Sequence, residues 1–507
     1  MPSGAASPKP GLMAKKQKTH RPKARRPRGF QDRFGAEITA EREMLERIAK
    51  VYRAYGFDPL ETPAFEFTDA LGKFLPDVDR PGQGVFSLQD DDDQWMSLRY
   101  DLTAPLARYV AENYDALAKP FRRYATGPVW RNEKPGPGRF RQFTQMDADT
   151  VGAPAPYADA EMCAMFAEAV AAAGVAEEDF IIRVSNRKVV DGLFEKIVLA
   201  GDDDAETRLT VMRSMDKYDR LGEQGVGLLL GGGRKDESGD FTEGAGLDDA
   251  KIAIVIEFLN SSDGVDRANQ ALSLERMQSI IGGTVSGDEG LEELDGIRSA
   301  IPGFQEKPIL FDCAVIRGLE YYTGPVFEAE LTFTVEDDKG RPVRFGSAGG
   351  GGRYDGLVKR FKGMEVPAVG VSIGVSRLLA TLEARNNAAP KIEGPVVVLA
   401  LEKDQMAAYQ TMAAELRASG IRAEVYVGGS NFAKQLKYAD KRSAPIAIIQ
   451  GEDERANGEV TLKDLALGAK LSAEIEDNAE WRKGQPAQFS VARNELVEAV
   501  KKTLAQG

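Results

Sequence analysis

Arg131-Asn132-Glu133-Lys134-Pro135-Gly136-Pro137-Gly138-Arg139-Phe140-Arg141-Gln142-Phe143 is the stretch on which the fold turns. It lies inside residues 121–151, which read as two extended arms, and Pro135, Gly136, Pro137 and Gly138 force a loop between them. Arg131 falls on the first arm, Arg141 on the second, and Arg139 close to the loop. A guanidinium is always charged and offers a planar fork of donors, so it suits phosphate oxygens better than lysine does. Glu133 can accept from the exocyclic amine of an adenine, and Phe143 can stack on such a ring. Taken alone, the string also fits a charged surface hairpin.

Three further strings narrow the choice. Arg317-Gly318-Leu319-Glu320-Tyr321-Tyr322-Thr323-Gly324 has two glycines around two tyrosines and no apolar alternation, which makes poor core sequence. A fixed cation there can stabilise charge developing on a pentavalent phosphate. A tyrosine hydroxyl can hold a ring nitrogen of a substrate side chain, although an exposed strand end is an equal reading of the string alone. Gly349-Gly350-Gly351-Gly352-Arg353-Tyr354-Asp355-Gly356 lets backbone approach a ligand closely. By itself the glycine run reads as a flexible turn, and it matches neither the phosphate-loop nor the dinucleotide-binding pattern. Residues 367–379 read as a strand, a glycine turn and a helix start carrying Arg377. An arginine at a helix start opposes the local dipole, which hints at a compensating anion.

Little else in the chain can do chemistry. The only histidine, His20, lies in a basic tail, and the two cysteines, Cys163 and Cys313, lack pairing-type spacing. That usage fits a reducing, cytoplasmic compartment and leaves no Cys/His cluster for a zinc site, so no protein-held metal is expected. A length of 507 residues allows two or three domains with sizeable cores, and 42% apolar with 29% charged residues places the chain among globular proteins. No run of 18 apolar residues exists, so no membrane span is expected. Residues 1–28 carry nine Lys/Arg and no acid, so the rest of the chain is more acidic than the total of −13. With Pro8, Pro10, Pro22 and Pro27 this segment reads as a disordered basic tail. It is either a solvated extension or a source of nonspecific affinity for RNA.

Periodicity supplies the elements between these strings. Leu45, Ile48, Tyr52 and Tyr55 share a face of a helix predicted over 36–55, which Gly56 stops. Residues 57–67 read as extended, broken by Pro59 and Pro63, and 94–100 as a strand. A helix over 158–173 turns Met162, Phe166, Ala169 and Val170 inward. Acid clusters and helical patches over 187–305 suggest a separate, mostly helical insertion. Phe327, Ala329, Leu331, Phe333 and Val335 alternate with polar residues, as in one strand with a single buried face. Residues 387–394 look like a linker. Beyond it, strand 396–401, helix 405–418, strand 421–427, helix 431–442 and strand 446–449 make a small α/β domain.

The four strings, in this order, resemble the histidyl-tRNA synthetases, which are class II aminoacyl-tRNA ligases, and the match runs from about Arg28 to the C-terminus. The resemblance implies an α+β fold. A catalytic domain over 29–390 would be a mainly antiparallel sheet flanked by helices, interrupted by an insertion at about 188–305. Residues 395–507 would form an α/β anticodon-binding domain. The activity implied is histidine–tRNA ligation with ATP as substrate, Mg2+ offsetting its charge, and L-histidine and tRNA(His) as partners of a homodimer. Arg131 would bind the α-phosphate, with Glu133 and Phe143 on adenine. Arg317 would be the cationic catalyst, while Arg139 and Arg377 hold the outer phosphates. Asp101, Thr103 and Gln145 would take the amino group of histidine. Asp149 and Tyr322 would take its imidazole, with Tyr321, Gly349 and Gly351 completing the pocket. Lys434, Lys437 and Lys441, one face of a helix, would meet tRNA, and Pro63 would lie at the dimer interface. This chain carries Asp101 and Asp149 where glutamate is common in the family, Thr144 where histidine is common, and Ser376 where glutamate often precedes the arginine. An alternative is a catalytically silent histidine-binding regulatory subunit of ATP phosphoribosyltransferase. Such subunits lack the anticodon domain and usually lose the phosphate arginines.

Overall fold

The computed structural model describes residues 22–71, 84–136, 140–236, 239–267, 269–316, 321–336, 340–344, 346–386, 394–468 and 487–506. Most of the basic tail, Arg139, Arg317 and nearly all of the linker at 387–394 lie outside the described residues. The chain divides into two compact units, Met1–Asn387 and Ala388–Gly507.

The strands of the first unit are β1 (Asp58–Pro59), β2 (Phe65–Phe67), β3 (Ser87–Gln89), β4 (Trp95–Leu98), β5 (Phe121–Trp130), β6 (Gln142–Val151), β7 (Phe180–Asn186), β8 (Gly233–Lys235), β9 (Phe241–Glu243), β10 (Ile309–Phe311), β11 (Pro325–Leu331), β12 (Thr334–Glu336), β13 (Pro342–Arg344), β14 (Ser347–Arg353) and β15 (Ala368–Ile373). Eight of them form one sheet in the order β1-β5-β6-β15-β14-β11-β7-β10. The edge strands β1 and β10 run parallel to their neighbours, and every pair between is antiparallel. The expected mixed, mainly antiparallel sheet is therefore present.

Helices α1 (Ala36–Ala54) and α3 (Tyr157–Ala172) cover one face of this sheet because each presents an apolar stripe. Met44, Ile48 and Tyr52 are buried from α1, and Met162, Phe166, Ala169 and Val170 from α3. Helix α2 (Thr103–Asn113) joins a smaller apolar cluster with Val151, Tyr354 and Ala368. Between β7 and β10 the chain forms α4 (Arg187–Lys196), α5 (Ala205–Met215), α6 (Tyr218–Leu230), the hairpin β8–β9, α7 (Asp249–Leu259), α8 (Ala271–Ile281) and α9 (Val285–Ala300). Helices α4 and α9 meet at Gly192 and Gly287, where a Cβ on Gly192 would come within 3.0 Å of the Gly287 backbone. The buried residues of this segment belong to the same core as the sheet.

Two strand readings need correction. The alternation over 327–335 does not form one strand: β11 ends at Leu331, and β12 leaves the sheet to pair with β13. The reason lies in the partner, because β7 begins at Phe180, opposite Leu331, and no ladder continues beyond it. The glycine block, which by itself reads as a flexible turn, is the interior strand β14, paired with β11 and β15 on its two sides. After α10 (Lys359–Lys362), α11 (Val375–Asn386) closes the unit and carries Arg377 in its first turn.

The second unit holds β16 (Val396–Val398), α12 (Met406–Ala418), β17 (Ala423–Val425), α13 (Phe432–Lys441), β18 (Ile446–Ile449), α14 (Glu452–Ala456), β19 (Glu459–Asp464), β20 (Gln488–Ala492) and α15 (Leu496–Leu504). Its sheet runs β17-β16-β18-β19-β20, with β16 parallel to both neighbours and the last two pairs antiparallel. Fully buried Val396, Val397 and Val398 fit a strand covered on both faces.

Candidate active site

The register of four strands builds the site. Residues directly opposite one another in a ladder share a face of the sheet. Arg123 on β5, Asp149 on β6, Gly370 on β15 and Gly352 on β14 form one row; Ala125, Asp147, Ser372 and Gly350 form the next; Gly127 and Gln145 begin a third. The polar side chains of β6 thus stand among glycines and an alanine, which leave a depression above the strands. A Cβ on Gly370 would come within 3.0 Å of the Asp149 carboxylate, and one on Gly352 would lie 2.8 Å from Cδ1 of Tyr322.

This floor is charged and dry. Arg123, Asp147 and Asp149 are 1%, 2% and 2% exposed. Nη2 of Arg123 lies 2.7 Å from Oδ2 of Asp149 and donates to the Leu102 carbonyl at 2.9 Å. The Tyr354 hydroxyl donates to Oδ1 of Asp149. Burial raises the Asp149 carboxyl above the usual carboxylate range, with Arg123 pulling the other way. Asp147 is pushed up to about 7 by burial, against the pull of Arg123. Burial likewise raises Asp101, whose Oδ1 accepts from the backbone N–H groups of Thr103 and Ala104 at 3.1 and 2.9 Å at the start of α2. Gln145 donates through Nε2 to the Ser372 hydroxyl at 3.0 Å. Tyr321 stacks on Tyr354 at 5.6 Å between ring centroids and meets Tyr322 edge-on at 5.2 Å. Among the described residues, Arg123 Nε and Nη1, Gln145 Oε1 and Asp147 Oδ1 are buried without hydrogen-bond partners. Buried polar groups are nearly always paired, so such a concentration on one patch marks a place where a ligand supplies the partners.

A cavity of about 340 Å³ adjoins this patch, lined by Arg131, Glu133, Phe143, Gln145, Ser372 and Arg377, among others. Gln145 and Ser372 belong to both, so the cavity and the polar floor are continuous. The Arg131 guanidinium lies 5.1 Å from the Phe143 ring centroid and donates to the Tyr100 carbonyl at 3.3 Å. Arg131, Glu133 and Phe143, from one stretch of chain, thus line one space with Arg377, which is far away in sequence.

The remaining sequence-derived candidates are placed as follows. Asp101, just before α2, and Tyr321 and Tyr322, before β11, border the polar floor, the two tyrosines packing on the apolar cluster that α2 joins, while Thr103 donates its backbone N–H to Asp101. Gly349 and Gly351 point the other way: a Cβ on Gly349 would touch Phe166 of α3 at 3.3 Å, and Gly350 and Gly352 are the glycines facing the patch. The backbone of Gly349 still borders the cavity. Thr144 and Ser376 are tied together, with the Thr144 N–H donating to the Ser376 hydroxyl at 2.9 Å and both hydroxyls donating to buried Glu41. Lys434, Lys437 and Lys441 are exposed on α13 of the second unit. Pro63 precedes β2, its carbonyl accepting from Arg99 at 3.4 Å. Among the described residues, no group of three His, Cys, Asp or Glu could hold a metal ion.

Sequence reasoning missed Arg123, Asp147, Ser372 and the hydroxyl of Tyr354. The available signal was the period of two in Gln145, Asp147 and Asp149, with apolar Met146 and Ala148 between. It places three polar side chains on one face of a buried strand.

Comparison with known proteins bears on the family. The family described as Histidyl-tRNA synthetase matches residues 29–226 and 234–378. The chain belongs to the histidyl-tRNA synthetase family. A second family, described as Anticodon binding domain, matches residues 395–503. The histidine--tRNA ligase of Rhizobium meliloti (strain 1021) is 56% identical over 97% of this chain and 98% of its own length. That of Brucella ovis is 55% identical over 96% and 97%. The crystal structure of histidyl-tRNA synthetase from Nostoc sp. PCC 7120 superposes with a TM-score of 0.71 at 28% identity, covering 95% of this chain and all of the other. A Bacillus halodurans structure titled as an ATP phosphoribosyltransferase regulatory subunit/histidyl-tRNA synthetase shares the fold, with a TM-score of 0.62 at 20% identity over 82% of this chain.

Proposed function

We propose that this histidyl-tRNA synthetase family member is a histidine–tRNA ligase, which activates L-histidine with ATP and passes the histidyl group to the 3′ end of tRNA(His). The observation that carries the reading is the continuity of two environments. A cavity with Arg131, Arg377, Glu133 and Phe143 suits a nucleotide and its phosphates, and it opens onto a buried acidic floor suited to a small amino acid with N–H groups at both ends.

The residues divide the work accordingly. Arg131 binds the α-phosphate, Glu133 and Phe143 hold adenine, and Arg377, with Arg139, holds the outer phosphates. Asp101, Thr103 and Gln145 take the ammonium of histidine; Asp149 and Tyr322 take the imidazole, within a pocket closed by Tyr321 and the β14 glycines. The substrate carboxylate attacks the α-phosphorus in line, a P–O bond forms as the bond to pyrophosphate breaks, and the guanidinium of Arg317 offsets the charge at the phosphorus. No protein nucleophile is needed, and burial pushes the thiols of Cys163 and Cys313 far up from their ordinary value. Glu133 is the one carboxylate among the described residues lining the cavity, which fits Mg2+ held mainly by phosphates and water.

Lys434, Lys437 and Lys441 give the second unit a cationic stripe for tRNA. Assembly as a homodimer around Pro63 is supported by an apolar sheet face beside it, where Phe65, Phe67 and Leu88 are 40%, 52% and 44% exposed. The enzyme would act in the cytoplasm; among the described residues no helix is long and apolar enough to cross a membrane. The regulatory-subunit reading is disfavoured by the matched anticodon-binding domain and by the retained arginines. Histidine-dependent exchange of pyrophosphate into ATP tests the proposal. No exchange with histidine, or equal exchange with another amino acid, would overturn it.

A further inference from the structure

We propose that Asp147 is a specificity-determining residue of the amino-acid pocket, its free carboxylate oxygen receiving an N–H of the substrate between the groups held by Gln145 and Asp149. The inference deepens the ligase reading and rests on it.

Asp147 occupies the middle row of the floor, between Ala125 on one side and Ser372 and Gly350 on the other. No large side chain of the sheet covers it. Ser372 bonds one side of its carboxylate, and Oδ1 has no partner among the described residues although Asp147 is only 2% exposed. A buried acceptor left unmade is costly, and it persists where a ligand completes it. The neighbouring cations attract the carboxylate but make their hydrogen bonds to other groups. Arg123 is engaged with Asp149 and the Leu102 carbonyl, and Arg99 donates to the carbonyls of Thr62 and Pro128. Asp101, Asp149 and Tyr322 also face Asp147, and Arg123 and Arg99 are the cations that attract it. An open carboxylate oxygen in this buried row favours a substrate bringing a positive or polarised N–H group. Gln145 and Asp149 lie two positions to either side along β6, about 7 Å each in strand rise, so one small amino acid spans from either to Asp147.

The test is steady-state pyrophosphate exchange with the full-length enzyme and the isosteric variant Asp147→Asn, varying histidine and ATP separately. The expected result is a rise in KM for histidine of about tenfold, from loss of a charged hydrogen-bond partner, with KM for ATP within about twofold of wild type. Imidazole-lactate, which replaces the ammonium by a hydroxyl, locates the contact. Unchanged inhibition by it assigns the N–H to the ammonium, and weakened inhibition assigns it to the imidazole. A KM for histidine that does not move, or one that moves in step with the KM for ATP, overturns the inference. Asp147→Ala, read by the same two constants, decides the matter if the asparagine variant does not fold. Wild-type enzyme without histidine-dependent exchange would instead sink the ligase reading, so the two failures are distinct.

Discussion

Arg353 grips Asp159 with two nitrogens, Nε at 3.0 Å and Nη2 at 2.6 Å, and reaches the Ala153 carbonyl and Asp355 with the third, at 3.1 Å each. Arg353 is 2% exposed and Asp159 fully buried, so this pair pins β14 to α3 inside the core. Removing one partner strands a charge in a low dielectric. Arg353→Met should therefore cost about 3–5 kcal/mol, and Asp159→Asn a similar amount. Urea unfolding checks this, and a loss below about 1 kcal/mol for both variants would show that the pair does not bear on stability. Asp147 yields a prediction of a different kind. Burial holds its folded carboxyl to about 7, whereas an unfolded aspartate ionises near 4. Between those values folding takes up a proton, so the contribution of this group to stability falls as pH rises. An asparagine at this position cannot titrate. The melting temperature of Asp147→Asn minus that of wild type should then grow more positive from pH 5 to pH 8. A difference flat across that range would mean that Asp147 is ionised throughout. A residue that costs stability while improving substrate binding is what a functional site leads one to expect.

Strand β14 shows at the scale of an element why the site was only partly legible. Helices α1 and α3 announce themselves by apolar residues at spacings of three and four, and their observed ends lie within a residue of those read from sequence. A strand made of Gly349, Gly350, Gly351 and Gly352 has no side chains and hence no period of two, so nothing local distinguishes it from a turn. Its place is fixed by neighbours: β11 and β15 flank it, and only glycine fits where they approach. The break after Leu331 was hidden for a related reason, since it depends on where β7 begins, at Phe180, far earlier in the chain. The close approach can be tested. A Cβ on Gly351 would come within 3.0 Å of the Gly370 and Val371 backbone, whereas one on Gly356 meets nothing within 4 Å. Gly351→Ala should part β14 from β15, costing about 1–3 kcal/mol or more as overpacking does, and should lower histidine activation with it. Gly356→Ala should leave both unchanged. Equal melting temperatures and equal exchange rates for the two variants would contradict the assigned register.

Over the whole molecule, each unit has its own apolar core, one around the large sheet and one around the sheet of the second unit. Individual elements were readable because strand and helix rhythms are local, whereas the fold of the catalytic unit came from the resemblance carried by the four strings. The polar floor was not readable, because it is assembled by register from Arg123, Asp147, Gly352 and Gly370, and pairing register is not written in any one segment. Charge behaves in the opposite way. The chain carries a net −13, so its overall field repels RNA, and attraction has to come from local stripes. Lys434, Lys437 and Lys441 are such a stripe, exposed at spacings of three and four along α13, whose start is fixed by the Asn431 side chain accepting from the Lys434 N–H. Each lysine that neutralises a phosphate adds just under one to the slope of log affinity against log salt. Replacing all three by glutamine should therefore reduce that slope for tRNA by roughly two to three. Histidine-dependent pyrophosphate exchange, which needs no tRNA and uses only residues of the first unit, should stay at the wild-type rate. Filter binding over a series of salt concentrations, run beside the exchange assay, makes the measurement. An unaltered slope would move tRNA recognition to another surface, and a parallel fall in exchange would show that the stripe serves the first unit instead.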